Sequence, residues 1–101
     1  MEQEVVVEKY GWSLVKGYNS ETNITFLAIC PPEEIEGIEV YFPHNTFENG
    51  IMKVDNINIH IDSFNFTYLS SIKDFIIQQQ QVVEFVQEAW AYCLENGFSN
   101  N

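Results

Sequence analysis

Two hydrophobic periodicities divide the chain at about residue 70. Before this point apolar and polar residues alternate in short runs, which is typical of β-strands; after it apolar residues recur every three or four positions, which is typical of an amphipathic helix. We therefore predict an α+β fold, with an antiparallel-rich β-sheet of about five strands in residues 3–69 and one long C-terminal helix, residues 71–96, packed across it. We treat residues 1–101 as one domain, since neither a linker nor an internal repeat interrupts them.

The predicted strands are β-branched and aromatic runs bounded by turn residues. They cover residues 3–10, 12–16, 22–30 and 38–42, with a turn at 17–21 and loops at 43–46 and 48–50. The strand at 22–30 is apolar on both faces, so we expect it to be central. Residues 51–61 form either a hairpin turning at Asp55-Asn56 or one long strand, with Ile57, Ile59 and Ile61 inward. Residues 64–69 are either a last short strand or an extended lead-in to the helix.

The helix carries signals at both ends. Ser71 followed by Asp74 resembles a capping box at its start, and Asn96-Gly97 predicts a left-handed glycine at its end, with Phe98 packing back. The face expected to lie on the sheet comprises Ile72, Phe75, Ile76, Val82, Val83, Val86, Ala89, Trp90, Cys93 and Leu94.

Three apolar residues of the helix, Ile77, Phe85 and Tyr92, fall outside this predicted face. Either they form a second contact surface, or the buried face is wider than an ideal stripe. We count Phe85 and Tyr92 as candidate partner-binding residues.

Negative charge is the strongest compositional signal. Fifteen acidic residues face four lysines, arginine is absent, and the formal net charge is −11. Direct binding to nucleic acid or to an anionic membrane is disfavoured, because such binding needs a basic patch. A chain of this charge is suited to fast, steered association with a basic protein.

The carboxylates that would carry such binding fall in two segments. Glu33, Glu34, Glu36 and Glu39 cluster after the third predicted strand, and Glu84, Glu88 and Glu95 line the predicted exposed side of the helix. Carboxylates on a rigid scaffold can imitate the phosphates of a nucleic acid, although a solvated acidic face is the simpler interpretation. We take the first four, together with Glu84 and Glu88, as candidate partner-binding residues.

Signals for catalysis are weak. His60 and Asp62 share one side of a strand, but one imidazole and one carboxylate make neither a metal site nor a triad, so we expect an exposed pair. The scattered glycines form no phosphate-binding loop. We therefore predict no catalytic residue, no metal and no cofactor. Cys30 and Cys93 are expected to be buried thiols in a cytoplasmic protein, because the acidic start lacks a signal-peptide pattern.

Three functions remain in competition. The favoured one is an inhibitor that blocks a basic nucleic-acid-acting protein, such as an immunity protein against a nuclease toxin or a phage protein against a nuclease or CRISPR effector. The second is a non-inhibitory interaction module, an adaptor or secretion chaperone, that uses an apolar surface around Phe85 and Tyr92. The third is an enzyme or small-ligand binder with a pocket between helix and sheet. The sequence leaves the partner, the strand order and the oligomeric state open.

Overall fold

Strands and helix follow one another in the order that the hydrophobic pattern predicts. The computed structural model describes residues 2–35, 37–62 and 69–100. Its elements are β1 (Glu2–Lys9), β2 (Trp12–Asn19), β3 (Ile24–Cys30), β4 (Ile38–Tyr41), β5 (Asn45–Glu48), β6 (Ile51–Val54), β7 (Asn58–Ile61) and α1 (Leu69–Glu95). A mostly antiparallel five-stranded sheet, ordered β1-β2-β3-β6-β5, a small second sheet of β4 and β7, and one long helix confirm the α+β fold, with β3 central as predicted.

The first three strands form an antiparallel meander with tight turns. Lys9 pairs with Trp12, so Tyr10 and Gly11 alone make the first turn, and both have left-handed backbone angles (φ 54° and 83°). Two successive left-handed residues define the hairpin turn whose twist matches the strands. The structure thus shows Gly11 in a turn, while the bulge of β1 lies between Val5 and Val7.

The predicted turn at 17–21 is wrong at its start, because β2 continues through Gly17 to Asn19. Gly17 pairs with Phe26 of β3, and a Cβ atom at Gly17 would overlap the ring of Phe26. The glycine therefore serves strand packing, leaving space for an aromatic ring laid across the neighbouring strand.

The sequence interpretation missed β5, which lies where loops were predicted. Asn49 and Gly50 both have left-handed angles (φ 55° and 78°) and join β5 to β6 in a two-residue hairpin. Asn-Gly is the strongest short hairpin signal, and it was present in the sequence. The amide of Thr25 donates to the carbonyl of Gly50 at 2.7 Å, where β6 joins β3 in parallel.

Both readings of residues 51–61 are wrong, because β6 and β7 belong to different sheets. The amide of Val54 donates to the carbonyl of Phe98 at 2.8 Å, and its carbonyl accepts from the amide of Asn100 at 3.0 Å. The C-terminal residues thus occupy the edge that a hairpin would need, and β7 pairs with β4 instead. Ile61, predicted inward, is exposed. The alternatives for residues 64–69 concern mostly positions outside the described residues.

The core lies between α1 and the strands, and the helix contacts mainly β1 and β2. Val82, Phe85, Ala89 and Cys93 are fully buried on one side of α1. The predicted face was therefore right for Val82, Ala89 and Cys93, and wrong in leaving Phe85 out. It was also wrong in burying the residues Ile72, Ile76, Val83 and Leu94, which are exposed.

Helix α1 begins before the predicted cap and ends where predicted. Its first residue is Leu69, so Ser71 lies inside the first turn and is not a cap. At the other end Gly97 has a left-handed angle (φ 79°), and the amide of Phe98 donates to the carbonyl of Cys93 at 3.0 Å. The rings of Tyr92 and Phe98 stack with centroids 6.0 Å apart, which confirms the predicted glycine stop and its packing.

The two cysteines occupy opposite environments. Cys93 is fully buried, and burial raises the pKa of its thiol from 9.0 to about 11. Cys30, predicted buried, is exposed because it is the last residue of β3, where the sheet ends and Pro31 follows.

Candidate functional site

The β1–β2 turn brings two distant acidic segments together. Gly11 packs against Pro32, since a Cβ atom on it would lie 3.2 Å from the proline ring, and the hydroxyl of Tyr10 is hydrogen-bonded to Glu84 of α1. Glu34 borders the same small depression, of about 160 Å³, whose lining consists of Tyr10, Trp12, Pro32, Glu34, Ile35, Gln78 and Gln81. The exposed residues Glu34, Glu84 and Glu88 therefore lie near one tyrosine, and Glu33, also exposed, is the chain neighbour of Glu34.

We call this surface the acidic end and define it as Tyr10 with Glu33, Glu34, Glu84 and Glu88. Lys9 lies within it: its ammonium is 3.5 Å from a carboxylate oxygen of Glu88 and 5.7 Å from the centre of the Tyr10 ring. One cation among four carboxylates leaves the acidic end strongly negative. Exposed ion pairs contribute little to stability, so Glu88 remains available to a partner.

The electrostatics of the acidic end are visible in Tyr10. Its hydrogen bond to Glu84, supported by the negative charges of Glu84 and Glu88, raises the pKa of the hydroxyl above its usual value of 10.0. The ring itself is 46% exposed. The exposed ring of Tyr10 thus lies among the carboxylates, while its hydroxyl is hydrogen-bonded to Glu84. The sequence interpretation took it as a strand residue and missed its place in this surface.

The remaining acidic residues of the 33–39 segment do not all join this surface. Glu39 lies on β4, is exposed, and pairs across the second sheet with His60 of β7. Glu36 lies outside the described residues. The segment that looked like one cluster in sequence is therefore divided between the connection after β3 and the second sheet.

His60 and Asp62 form an exposed pair, as expected, with Nε2 of the imidazole 3.1 Å from a carboxylate oxygen. Both side chains are more than half exposed, so water screens their interaction. Among the described residues, no group of three His, Cys, Asp or Glu side chains is placed to hold a metal ion.

The apolar candidates for partner binding need correction. Phe85 is fully buried and stacks on Trp12 with ring centroids 5.9 Å apart, so it cannot be an exposed anchor. Tyr92 is half-buried, its ring is engaged with Phe98, and burial raises the pKa of its hydroxyl. The physical reason is that the buried face of α1 is rotated toward Phe85, which places both aromatic residues against the sheet and the C-terminal tail.

This rotation exposes a different apolar set. Ile76, Val83 and Leu94 are 49%, 46% and 50% exposed, although the sequence predicted them buried. Apolar residues occupy more than half of the helix circumference, so periodicity alone could not locate the centre of the buried side. The centre of the buried side is set by the close packing of Ala89 and by the stacking of Phe85 on Trp12.

Within the described residues, α1 does not combine the length and apolar character that crossing a membrane requires. Comparisons with protein-family models, with curated proteins and with solved structures found no match.

Proposed function

We propose that the chain is a protein-binding inhibitor whose acidic end occupies the nucleic-acid site of a basic protein, such as a nuclease. The observation that carries the proposal is that Glu34, Glu84 and Glu88 lie near Tyr10 in a chain of net charge −11, with exposed Glu33 next to Glu34 in the chain. A site built to hold phosphates offers lysine and arginine side chains, and carboxylates held on a folded surface complement them.

The composition of the acidic end supports this proposal in a second way. Binding interfaces combine charged residues, which steer encounter, with aromatic anchors, which slow dissociation. Tyr10 supplies an exposed ring at the centre of the carboxylates, and its hydroxyl is already paired with Glu84. Burying this ring against a partner would therefore leave no unsatisfied hydroxyl group.

The test is charge reversal with a matched control. A partner is first recovered from the native host with the tagged chain, and its affinity is measured against two variants of equal net charge. One carries Glu34→Lys with Glu84→Lys; the other carries Glu2→Lys with Glu21→Lys. The control residues are exposed at the opposite end of the β1–β2 hairpin, where Glu2 pairs with Tyr18.

We expect the first variant to bind at least about tenfold more weakly than the control variant, because it reverses charge where the contact is made. Competing duplex DNA should release the bound partner, and the affinity should fall as NaCl rises. An acidic partner, equal effects of the two variants, or indifference to DNA and salt would each contradict the proposal.

A further inference from the structure

A lysine of the chain itself reaches into the acidic end and occupies the space between an aromatic ring and a carboxylate. The ammonium of Lys9 lies 3.5 Å from Oε1 of Glu88 and 5.7 Å from the centre of the Tyr10 ring. A ring face and a carboxylate both attract positive charge, so this is where the surface recognises a cation. Lys9 therefore shows, within one molecule, which kind of group this part of the acidic end binds.

The backbone of Lys9 is fixed by packing that does not involve its charge. Lys9 pairs with Trp12 across the β1–β2 hairpin, and directly opposed residues of an antiparallel pair lie on the same face of the sheet. Trp12 is fully buried and stacks on Phe85 of α1. The side chain of Lys9 thus leaves the sheet beside Trp12, on the face that carries α1, and extends to Glu88, about one helical turn beyond Phe85.

The ammonium of Lys9, by contrast, is held loosely. Charge-assisted N–H···O hydrogen bonds are about 2.7–2.9 Å long and cation–π contacts extend to about 6 Å, so both contacts of Lys9 are long. The side chain of Lys9 is 34% exposed and that of Glu88 is 51% exposed, so water competes for both charges. A cation supplied by another protein can therefore displace Lys9 easily.

A guanidinium group suits this place better than an ammonium group does. It is planar, stacks on aromatic rings and can donate two parallel N–H groups to one carboxylate, whereas an ammonium is a compact point charge. The hydroxyl of Tyr10 is already hydrogen-bonded to Glu84, so the ring can be covered without leaving that hydroxyl unpaired. Glu84 and Glu88 are four residues apart, which places both carboxylates on one side of α1.

We propose that an arginine side chain of the basic partner displaces Lys9 and binds between the ring of Tyr10 and the carboxylate of Glu88. Lys9 is then an internal competitor that limits how tightly the acidic end holds a cation. This inference rests on the proposed function, because it names the group of the partner that the acidic end receives. A small arginine derivative can replace the partner in its test, so the two proposals can fail separately.

The first experiment titrates N-acetyl-arginine amide into the protein at low salt and follows the tyrosine ring signals by NMR. We expect saturable shifts at Tyr10 and no comparable shifts at Tyr41. Tyr41 is the internal control, because it is nearly as exposed as Tyr10 (42% against 46%) but lies on β4 in the second sheet. N-acetyl-citrulline amide, which has a similar shape but no charge, should not shift Tyr10, and N-acetyl-lysine amide should bind more weakly than the arginine derivative.

The second experiment separates the role of Lys9 from the effect of net charge. Lys9→Met and Lys16→Met each remove one positive charge from a partly exposed lysine that faces a glutamate, Glu88 in one case and Glu4 in the other. We expect Lys9→Met to bind the arginine derivative about three- to fivefold more tightly than the wild-type chain, because a weak competing ion pair is gone. Lys16→Met should differ from the wild-type chain by less than about twofold, since its ion pair lies elsewhere on the hairpin.

Equal shifts at Tyr10 and Tyr41, equal effects of the two lysine variants, or equal binding of the arginine and citrulline derivatives would each overturn the inference. A lysine derivative that binds as tightly as the arginine derivative would overturn the assignment to arginine. If the arginine derivative does not bind at Tyr10 while reversal of Glu34 and Glu84 still weakens the recovered partner, the proposed function stands without the arginine site. If it binds as expected but the recovered partner is acidic, the proposed function fails and the site for arginine remains.

Discussion

At the scale of single residues, burial separates aromatic side chains that the sequence pattern treats alike. Phe85 is fully buried between α1 and the sheet, whereas Trp90 is only half-buried at the margin of the helix. The sequence interpretation assigned them the reverse roles. Stability measurements distinguish them directly, because the cost of truncating a side chain follows the cavity that it leaves.

Phe85→Ala should lower the free energy of unfolding by about 3–5 kcal/mol, since it removes a buried ring and its stacking on Trp12. Trp90→Ala should cost clearly less, because water already reaches part of that side chain. Urea denaturation of the two variants checks this. A larger loss for Trp90→Ala would mean that the helix is rotated differently on the sheet.

The thiols provide a second test at this scale. Cys30 is exposed and should react quickly with Ellman's reagent at pH 8, while Cys93, buried with a pKa of about 11, should react only when the protein unfolds. Cys30→Ser should remove the fast reaction entirely, and a fast reaction that survives this substitution would show that Cys93 is accessible.

The sign of the pH effect at Cys93 follows from the direction of its shift. The folded protein favours the neutral thiol of Cys93. The contribution of this thiol to the free energy of unfolding is therefore fully present below pH 9 and decreases as the pH rises toward 11.

At the scale of elements, the residues after α1 complete the sheet. The carbonyl of Phe98 and the amide of Asn100 bond to the two backbone groups of Val54, and the ring of Phe98 is 4% exposed. This short segment supplies hydrogen-bond partners to the backbone groups of Val54 at the edge of β6. It also fixes the position of the end of α1. It also explains why β6 does not pair with β7.

Phe98→Ala should therefore destabilise the fold by about 3–5 kcal/mol, although it lies three residues from the end of this sequence. Deletion of residues 98–101 should cost more, because Val54 then loses both backbone partners. Thermal unfolding monitored by circular dichroism measures both effects. Glu95→Ala, on the exposed last turn, is the control and should change the stability by less than about 0.5 kcal/mol. Equal melting of the truncated and complete chains would show that this segment does not support the sheet.

At the scale of the whole molecule, net charge opposes compaction. Eleven uncompensated negative charges repel one another across a small surface, and the repulsion is screened over about 8 Å at physiological ionic strength. Under the proposed function the same charge would attract a basic partner, and the repulsion within the chain would be its cost in stability.

Adding NaCl from about 20 to about 300 mM should consequently raise the free energy of unfolding, because the Debye length falls over this range. Glu→Gln substitutions at the exposed positions Glu2, Glu21 and Glu48 should stabilise the chain at low salt and reduce its salt response. Urea titrations at each salt concentration measure both quantities. A neutralised variant that is less stable at low salt would contradict this account of the charge.

The sequence by itself determined the features that depend on near neighbours along the chain. The α+β class, the central strand β3, the glycine stop at Gly97 and the negative charge follow from local periodicity, turn chemistry and composition. The hairpin at Asn49-Gly50 was equally local and could have been predicted from those two residues.

Only the tertiary structure decided the features that depend on contacts between distant segments. The residues after α1 form hydrogen bonds to the edge of β6, so β7 does not pair there. The packing of Phe85 on Trp12 sets the rotation of α1. The turn at Tyr10 lies close to both Glu34 and Glu84. Periodicity states that a helix has an apolar side, but an apolar arc wider than half the circumference permits several rotations of similar burial. The choice among them depends on close packing against residues that are remote in the sequence, and that choice places the acidic end on the surface.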